Sequence, residues 1–442
     1  MDEEDIQMAT IGKDFPKTRE ARRAKLKEIK TQNNVGTIKV PGHGVKNVYK
    51  IPLEYLSYNP YNTRFLAQAK TLEARIGREL EDERAEDVKE IERFIWEYKE
   101  EKNESTIKSL LKEGQLQPGV VTPSGLILAG NRRFRLLNEI QRNYNKYAKP
   151  GVNLEGLQYF EAAILDNELD KKEIRRYEAF YQYGNEDKVE YDPIQKYIAV
   201  DVQTKLEYTD KEIADNFFTL TEGKVSIIEE WRKEFELMNE YLDYIGEPGI
   251  FTSLETREEA FINLYKTLKS YKGSTGSKIR AFDEFDLVEF KERYFDYIWK
   301  NLGTHDFRDF KKIFNDKDRW KIFNDNVKSI VKNVLESIGS IDEYRKNNPD
   351  KTESEIAIKR QNDYIKLSGK GLDKALGNER AVIVNRETEE TPMKIVEQIE
   401  EKITKLEKII KSGNREVVET EDFFEKIKNL YKMIGRIKQR LD

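Results

Sequence analysis

Three arginines follow a glycine in the segment LILAGNRRFRLL, an arrangement that suits binding of a phosphate group. A turn at 123–125 separates two predicted strands, Gly119–Val121 and 126–129, and Gly130 then opens a predicted helix. Unpaired N–H groups and the helix dipole favour an anion at such a helix start, and arginines bind phosphate oxygens through paired hydrogen bonds. A surface arginine cluster on an ordinary strand–helix turn is an equally good interpretation. The arginines concerned are Arg132, Arg133 and Arg135.

The composition excludes several other kinds of active site. The 442 residues include no cysteine, which excludes disulfides, thiol catalysis, iron–sulfur clusters and zinc–thiolate sites. The two histidines, His43 and His305, argue against a histidine-rich metal site and against a Ser-His-Asp triad. No apolar run approaches the roughly 18–20 residues of a membrane span, and the acidic start MDEEDIQ is unlike a signal peptide. We therefore expect a cytoplasmic protein without a membrane partner.

The charges are nearly balanced overall but unevenly distributed. The chain has 78 Lys and Arg against 83 Asp and Glu, a net charge of −5, so a nucleic-acid binder must concentrate its basic residues locally. Residues 17–30 hold seven basic and two acidic residues. We interpret residues 1–47 as a polar, basic N-terminal arm. Its basic residues either bind the phosphates of a nucleic acid or lie on a solvated helix that has no partner. Residues 308–332 mix basic residues with aromatics at helical spacing. Such a mixture can bind nucleic acid, but aromatics at helical spacing more often belong to a hydrophobic core, and we favour a core here.

A third strand is predicted over 160–165, and the pattern is helical from residue 171 onward. Thr209 and Glu212 fit a capping box opening the first of two helices, at 209–217 and 224–238, which have the lengths of a helix-turn-helix. Residues 222–236, which include the predicted recognition helix, hold three basic and five acidic residues, a balance that weighs against binding in a DNA groove. The first turn of this helix, however, holds no acidic residue. The candidate DNA contacts are Lys224, Ser226, Arg232 and Lys233.

The C-terminal half divides into three predicted parts: an aromatic-rich helical domain over 249–346, a polar linker over 347–390, and a helical hairpin or coiled coil over 391–442. Two heptad runs in the last part are too short to be stable alone. They must pack on each other, on the body of the protein or on a second subunit, and we expect a homodimer. The runs are Val396, Ile399, Ile403, Leu406, Ile410 and then Phe423, Ile427, Leu430, Ile434, Ile437, Leu441.

Three boxes of sequence resemble the N-terminal domain of ParB partition proteins, in the ParB/sulfiredoxin superfamily. Residues 51–64, IPLEYLSYNPYNTR, resemble the first box, and 111–137, LKEGQLQPGVVTPSGLILAGNRRFRLL, resemble the second and most specific one. Residues 185–193, NEDKVEYDP, are similar to the third box through Asn185 and the closing Asp192-Pro193. A predicted helix-turn-helix follows, as it does in that family, so the resemblance covers roughly residues 48–245.

The resemblance implies an α+β protein with a small mixed-sheet nucleotide-binding domain over 48–170 and a helical DNA-binding segment over 171–248, followed by helical C-terminal domains. It implies CTP or ATP with Mg²⁺, double-stranded DNA as partner, and a role in plasmid, phage or chromosome partition or in transcription regulation. The protein would then associate with the nucleoid or a plasmid. Asn185 would bind the metal. Carried over by position, the nucleotide-binding residues are Arg64, Gln117, Pro118, Gly130, Asn131, Arg132, Arg133 and Arg135.

Two departures from the family pattern bear on turnover. Asn131 stands where the family has Glu, and Gly184 replaces the Glu of the third box, so we expect binding with slow or absent hydrolysis. Glu186 and Asp187 are candidate replacements for the missing carboxylate. Sulfiredoxin activity is excluded because its cysteine position is Asn131. Two other hypotheses are a kinase or nuclease on the same fold, in mobile-element or phage-defence biology, and a helical scaffold with a vestigial ParB-like domain.

Overall fold

The computed structural model describes residues 17–148, 154–183, 193–272, 282–411 and 421–441. Two compact units make up the chain. The first runs to Arg308 and includes Lys328–Lys370, and the second consists of Asp309–Val327 and Gly371–Asp442. The first unit contains a five-stranded mixed sheet among many helices, which confirms the predicted α+β class.

The sheet has the strand order β1-β2-β5-β3-β4. The pair β3 and β5 is parallel, whereas the other neighbouring pairs are antiparallel. The three strands predicted around the phosphate segment are confirmed to within a residue or so at their ends. The strands are β1 Gly36–Val40, β2 Gly44–Pro52, β3 Gly119–Val121, β4 Ile127–Ala129 and β5 Tyr159–Ile164.

Both faces of the sheet are buried. Along β5, Phe160, Ala162 and Ile164 belong to one apolar cluster, and the intervening Ala163 belongs to another. Successive side chains of a strand point to opposite faces, so the two clusters lie on opposite sides of the sheet. The larger cluster holds the residues of the first box and of the helix after Gly130, and it therefore fixes the position of the predicted site.

Apart from these strands, most of the described chain before residue 250 is helical. No helix among the described residues is both long enough and apolar enough to cross a membrane. The helices are α1 Arg19–Ile29, α2 Leu66–Ile76, α3 Ala85–Glu97, α4 Asn103–Glu113, α5 Asn131–Arg142, α6 Tyr144–Tyr147, α7 Lys171–Tyr183, α8 Pro193–Lys205, α9 Asp210–Asn216, α10 Phe218–Thr221 and α11 Val225–Tyr244.

The N-terminal arm expected over 1–47 differs from the structure, which has a helix from Arg19 and two strands from Gly36. Arg22 of α1 is fully buried, and its guanidinium donates to the Ser124 carbonyl and to Asp82, each at 2.8 Å. Leu26 of the same helix is also buried. The basic composition concealed this packing because one of the seven basic side chains faces inward. Residues 1–16 lie outside the described residues.

The two helices of the predicted helix-turn-helix are present as α9 and α11, with the short α10 between them. The capping box at the start of α9 is confirmed, since the Thr209 hydroxyl accepts from the Glu212 N–H and the Glu212 carboxylate accepts from the Thr209 N–H. The helices after residue 250 are α12 Glu258–Lys272, α13 Glu284–Trp299, α14 Arg308–Asn315, α15 Lys317–Leu335, α16 Ile341–Asn347, α17 Glu353–Lys411 and α18 Glu421–Leu441.

The polar, loop-rich linker expected over 347–390 is wrong. Helix α17 begins at Glu353 and continues without a break to Lys411. Positions 356, 360, 364, 368 and 372 are all buried at a spacing of four residues, which is a helical stripe. Two members of this stripe are polar, Arg360 and Ser368, and they concealed its period from a search for apolar residues.

Candidate phosphate-binding site

The first and second boxes lie side by side in the structure. Ser57, in the first box, forms a parallel bridge with Leu126, just before β4. Its N–H donates to the Gly125 carbonyl at 2.9 Å, and its own carbonyl accepts from the Ile127 N–H at 3.0 Å. The segment from Ser57 to Arg64 therefore starts beside β4 and near the beginning of α5.

Two asparagines of α5 hold the first box in place. The side-chain oxygen of Asn131 accepts from the Asn59 N–H at 3.0 Å, and its amide nitrogen donates to the Ile127 carbonyl at 2.9 Å. Seven residues further along α5, the side chain of Asn138 donates to the buried Tyr58 hydroxyl at 2.8 Å. Asn131 was predicted as a nucleotide ligand, but its side-chain oxygen joins the second box to the first and its amide nitrogen is used within the second box.

Both the backbone conformation and the surroundings of Gly130 favour glycine over any other residue. Its φ of +105° lies in the left-handed region, and an added Cβ would lie 2.7 Å from Cζ of Phe160. The same ring approaches Gly119 on β3, where a Cβ would come within 2.4 Å. The glycine after β4 thus allows the sheet and α5 to pack closely, with the amino end of α5 next to the first box.

Arg64 and Arg132 meet at this helix start. They line one narrow pocket with Asn131 and with Asn62, Phe65, Ile95 and Tyr98. Burial and then the positive charge of Arg64 lower the pKa of Arg132, so the pocket favours an anion. The cavity volume of about 10 Å³ admits roughly one water molecule, and a larger anion requires the pocket to open.

The hydrogen bonds of Arg132 go to neutral acceptors. Its Nη2 donates to Asn103 at 3.0 Å and to the Lys99 carbonyl at 3.3 Å. Its buried Nε has no hydrogen-bond partner among the described residues. Lys99 has φ +58°, which is unusual for a residue with a side chain. A phosphate would offer Arg132 a charged acceptor, which forms stronger hydrogen bonds than a neutral one.

The other two arginines of the predicted phosphate clamp are directed elsewhere. Arg133 donates from Nη1 to the main-chain carbonyl of the exposed Gln117, beside Pro118. Arg135 lies 4.8 Å from the centre of the Trp96 ring and pairs with Glu139 at 2.9 Å. Of the predicted set, only Arg64, Asn131 and Arg132 line the same pocket, so a clamp of three neighbouring arginines is not formed in this structure.

A buried carboxylate that was not predicted from the sequence lies next to the first box. Glu178 of α7 accepts from the Asn59 side-chain amide at 2.7 Å, and burial raises its pKa to about 7. Hydrogen bonding by Asn59 and the positive charges of Arg64 and Arg175 act in the opposite direction but are outweighed. A carboxyl group with a strongly shifted pKa beside a basic pocket is typical of a functional site.

Arg175 lies one helical turn before Glu178 and is also buried. Its guanidinium stacks on the ring of Tyr61, in the first box, at 4.4 Å. Two of its nitrogens, Nε and Nη1, have no hydrogen-bond partner in the part of the chain that the structure describes. Two ionisable residues three apart in the apolar stripe of a helix were the sequence signal that could have identified this pair.

The third box cannot be compared with the structure, because residues 184–192 lie outside the described ones. The candidate metal ligand Asn185 and the candidate carboxylates Glu186 and Asp187 fall in that gap. In the described ranges, no three histidine or carboxylate side chains come together as a metal site.

Three of the four candidate DNA contacts are exposed, and the fourth, Arg232, is bonded within the domain. Lys224 and Ser226 are exposed at the start of α11, where Lys224 pairs with Glu222. Arg232 instead binds Asp210 at 2.5 Å and the Thr204 hydroxyl at 2.9 Å, so it joins α11 to α8 and α9. Lys233 is exposed and pairs with Glu236 at 2.9 Å.

Comparison with known proteins adds no relative: no family model, no curated protein and no solved structure matches the chain.

Proposed function

We propose that the chain is a ParB-like protein that binds a nucleoside triphosphate at Arg64 and Arg132 and binds double-stranded DNA through the start of α11. The observation that carries the proposal is the meeting of these two arginines at the glycine-led amino end of α5. Both come from boxes that resemble ParB, although they are 68 positions apart in the sequence. CTP with Mg²⁺ is the first choice of nucleotide, and ATP is the second.

The donor set of the pocket fits a phosphate group. Among the described residues, Arg132 makes hydrogen bonds only to neutral oxygens, and a phosphate oxygen competes well with these because the bond is charge-assisted. The amino end of α5 adds the positive end of a helix dipole. Magnesium commonly keeps waters and phosphate oxygens as most of its ligands, so a single protein ligand such as Asn185 would suffice.

DNA binding would rest on the exposed pair Lys224 and Ser226 rather than on Arg232, whose hydrogen bonds lie within the domain. Dimerisation would occur through residues 391–442, as the heptad pattern predicts. In support, Ile403, Ile410, Ile427 and Ile434 of α17 and α18 are each 40–45% exposed. Such a row of half-exposed apolar residues at heptad spacing is typical of the seam of a coiled coil.

A nucleotide-binding screen tests the proposal. CTP, ATP, GTP and UTP are titrated against the full chain with Mg²⁺, with and without duplex DNA. We expect one nucleotide to bind selectively, and Arg132→Ala to abolish the binding. Arg135→Ala is the matched control, because this arginine lies over Trp96, and it should leave the affinity unchanged. If no nucleotide binds, or if both variants behave alike, the ParB-like function is wrong and the scaffold hypothesis is favoured.

A second candidate function, a kinase or nuclease on the same fold, is favoured by Glu178. A carboxylate with a pKa of about 7 is suited to act as a general base near neutral pH. The test is product formation from ATP with a hydroxyl-bearing small molecule, or cleavage of DNA, and loss of that product in Glu178→Gln. Nucleotide binding without any product would instead leave Glu178 the role of holding Asn59.

A further inference from the structure

A short segment between α3 and α4 forms one wall of the phosphate pocket. We call this segment, residues 98–102, the strap. Tyr98 of the strap lines the pocket, beside Ile95 at the end of α3. Because the cavity holds roughly one water molecule, a phosphate group can enter only when one of the walls moves.

The other walls are firmly held. The first box and the start of α5 supply two of them, and Asn131 joins these two by accepting from the Asn59 N–H at 3.0 Å. Phe65 and Ile95, which also line the pocket, belong to the larger apolar cluster of the sheet. In the strap, no residue of the short turn Glu100–Lys102 is buried. Movement of the strap therefore exposes little apolar surface, so it is the wall that can open at the lowest cost.

Arg132 holds the strap in its closed position. Its Nη2 donates to the Lys99 carbonyl at 3.3 Å and to the side-chain oxygen of Asn103, the first residue of α4, at 3.0 Å. Asn103 is buried, and its amide nitrogen donates to the Trp96 carbonyl at 2.8 Å, which ties the two ends of the strap together. Since Nη2 has two N–H groups and two acceptors here, a phosphate oxygen that binds Nη2 displaces the strap.

The closed strap has a strained backbone. Lys99 has φ +58° and ψ +51°, a left-handed conformation that is costly for a residue with a Cβ. Such strain persists only where the surroundings enforce it, and it is common at ligand clamps and switch segments. The carbonyl of this same residue is bound by Arg132. Loss of that hydrogen bond allows Lys99 to relax, so the strain favours opening once a ligand binds the arginine.

The strap also brings a negative charge to the pocket. Burial and the positive charge of Arg64 lower the pKa of Arg132, whereas the negative charge of Glu101 in the strap acts in the opposite direction. Glu101 itself is exposed. In the closed position, Glu101 therefore offsets part of the positive potential that attracts a phosphate group.

We propose that residues 98–102 are an autoinhibitory strap, which Arg132 holds closed through Lys99 and Asn103, and which the phosphate of the nucleotide opens by replacing these two acceptors. The inference rests on the proposed nucleotide site and adds its regulation. A ligand that binds only the open form gains affinity when the closed form is weakened. If the strap merely supported Arg132, weakening it would lower the affinity instead.

Titration of the full chain with CTP, with ATP and with pyrophosphate, a probe that lacks a base, tests the strap in three variants. Asn103→Ala removes an acceptor of Arg132 and the tie to Trp96, and it should raise the affinity by about three- to tenfold. Glu101→Gln changes an exposed side chain and should raise the affinity by about two- to fivefold at low salt. Glu104→Gln removes the same charge from an exposed position outside the strap, so the affinity should stay within about twofold of the wild type.

Amide hydrogen exchange provides a readout that a purely structural role would not change in the same direction. Residues 98–102 of the wild type should exchange faster with nucleotide bound than without it. In Asn103→Ala, the same residues should already exchange faster in the absence of nucleotide. Thermal unfolding shows whether Asn103→Ala folds, and Glu101→Gln keeps the test decisive because its side chain is exposed.

The outcomes separate the strap from the proposed function. Slower exchange of residues 98–102 on nucleotide binding, or equal affinities of all four chains, overturns the strap and leaves the nucleotide site in place. A lower affinity in folded Asn103→Ala, with no change in Glu101→Gln, also overturns it, because Asn103 then only supports Arg132. Absence of binding to every chain overturns the strap and the proposed function together.

Discussion

The side-chain amide of Asn59 donates a hydrogen bond of 2.7 Å to the buried carboxylate of Glu178. This bond joins the first box to α7, and on its other side the Asn59 N–H donates to Asn131 at the start of α5. Asn59 thus links the helix after Gly130 to the helix that leads to the third box. The three elements are therefore held in register by hydrogen bonds to one residue.

Glu178→Gln should reduce the dependence of stability on pH. The pKa of Glu178 is about 7 in the folded chain against 4.5 for an ordinary glutamate. Its contribution to stability is therefore present below pH 4.5 and is lost as the pH rises through 7. Glutamine keeps the shape but does not ionise, so at pH 8 the variant should be more stable than the wild type, by at most about 3 kcal/mol.

Urea unfolding at pH 5 and at pH 8 measures this difference. Asp296 is a useful comparison, because burial also raises its pKa to about 7 and it lies far along the chain from the phosphate site. Asp296→Asn should flatten the same profile without changing nucleotide binding. A pH profile for Glu178→Gln that is identical to that of the wild type would show that Glu178 titrates normally.

Asn131→Ala should destabilise the protein. The substitution leaves the buried Asn59 N–H and the Ile127 carbonyl without the partners they have now. An unsatisfied buried group costs about 1–3 kcal/mol, so we expect a loss of that order in the free energy of unfolding. Asn143→Ala is the control: this asparagine is exposed at the end of α5, and its loss should cost less than about 0.5 kcal/mol. Equal effects of the two substitutions would contradict the role of Asn131.

The strands and the helix start of the phosphate segment were predictable because local signals decide them. Glycines, a turn and an apolar run fix β3, β4 and the start of α5, and Gly130 immediately precedes this helix as expected. The direction of each arginine was not predictable. Whether Arg135 lies on Trp96 or faces a phosphate depends on α3, which is distant in the sequence, and no local pattern encodes that contact.

Buried charged residues account for most of the remaining differences. Arg22, Glu178 and Arg360 occupy inward positions of helices that composition alone presents as solvated. Each is held by a partner 60 or more positions away in the sequence: Asp82, Asn59 and Glu247. A buried charged residue interrupts the apolar stripe by which a helix is recognised in a sequence. For this reason, a basic arm and a linker were expected where the structure has helices.

Lys224→Ala should weaken DNA binding without unfolding the domain, because Lys224 is exposed and pairs only with the neighbouring Glu222 among the described residues. If Lys224 contacts one phosphate, its loss should reduce the log–log salt slope of the affinity by about 0.9. Arg232→Ala should instead lower the melting temperature, because it removes the contacts with Asp210 and Thr204. Fluorescence anisotropy with duplex DNA at several salt concentrations measures the slope. An unchanged slope in Lys224→Ala would exclude this contact.

Removal of residues 391–442 should convert a dimer to a monomer in light scattering. A finer test places a charge in the seam: Ile427→Lys puts an ammonium where a half-exposed apolar side chain now lies, whereas Lys428→Ala changes the adjacent exposed position. We expect only the first to weaken self-association, because a charge in a coiled-coil seam cannot be buried cheaply. A full-length chain that is monomeric at micromolar concentration would contradict the homodimer.

The bound nucleotide should be hydrolysed slowly or not at all. Phosphoryl transfer to water needs both neutralisation of the phosphate charge and a group that orients the water. Arg64 and Arg132 can supply the first. For the second, Gly184 offers no side chain, and Glu178 is buried and already bonded to Asn59. Phosphate release under multiple-turnover conditions, with and without DNA, should therefore be close to background in the wild type. Rapid release that Glu178→Gln abolishes while nucleotide affinity is kept would make Glu178 the base, and rapid release lost on changing Glu186 or Asp187 would place the carboxylate in the third box.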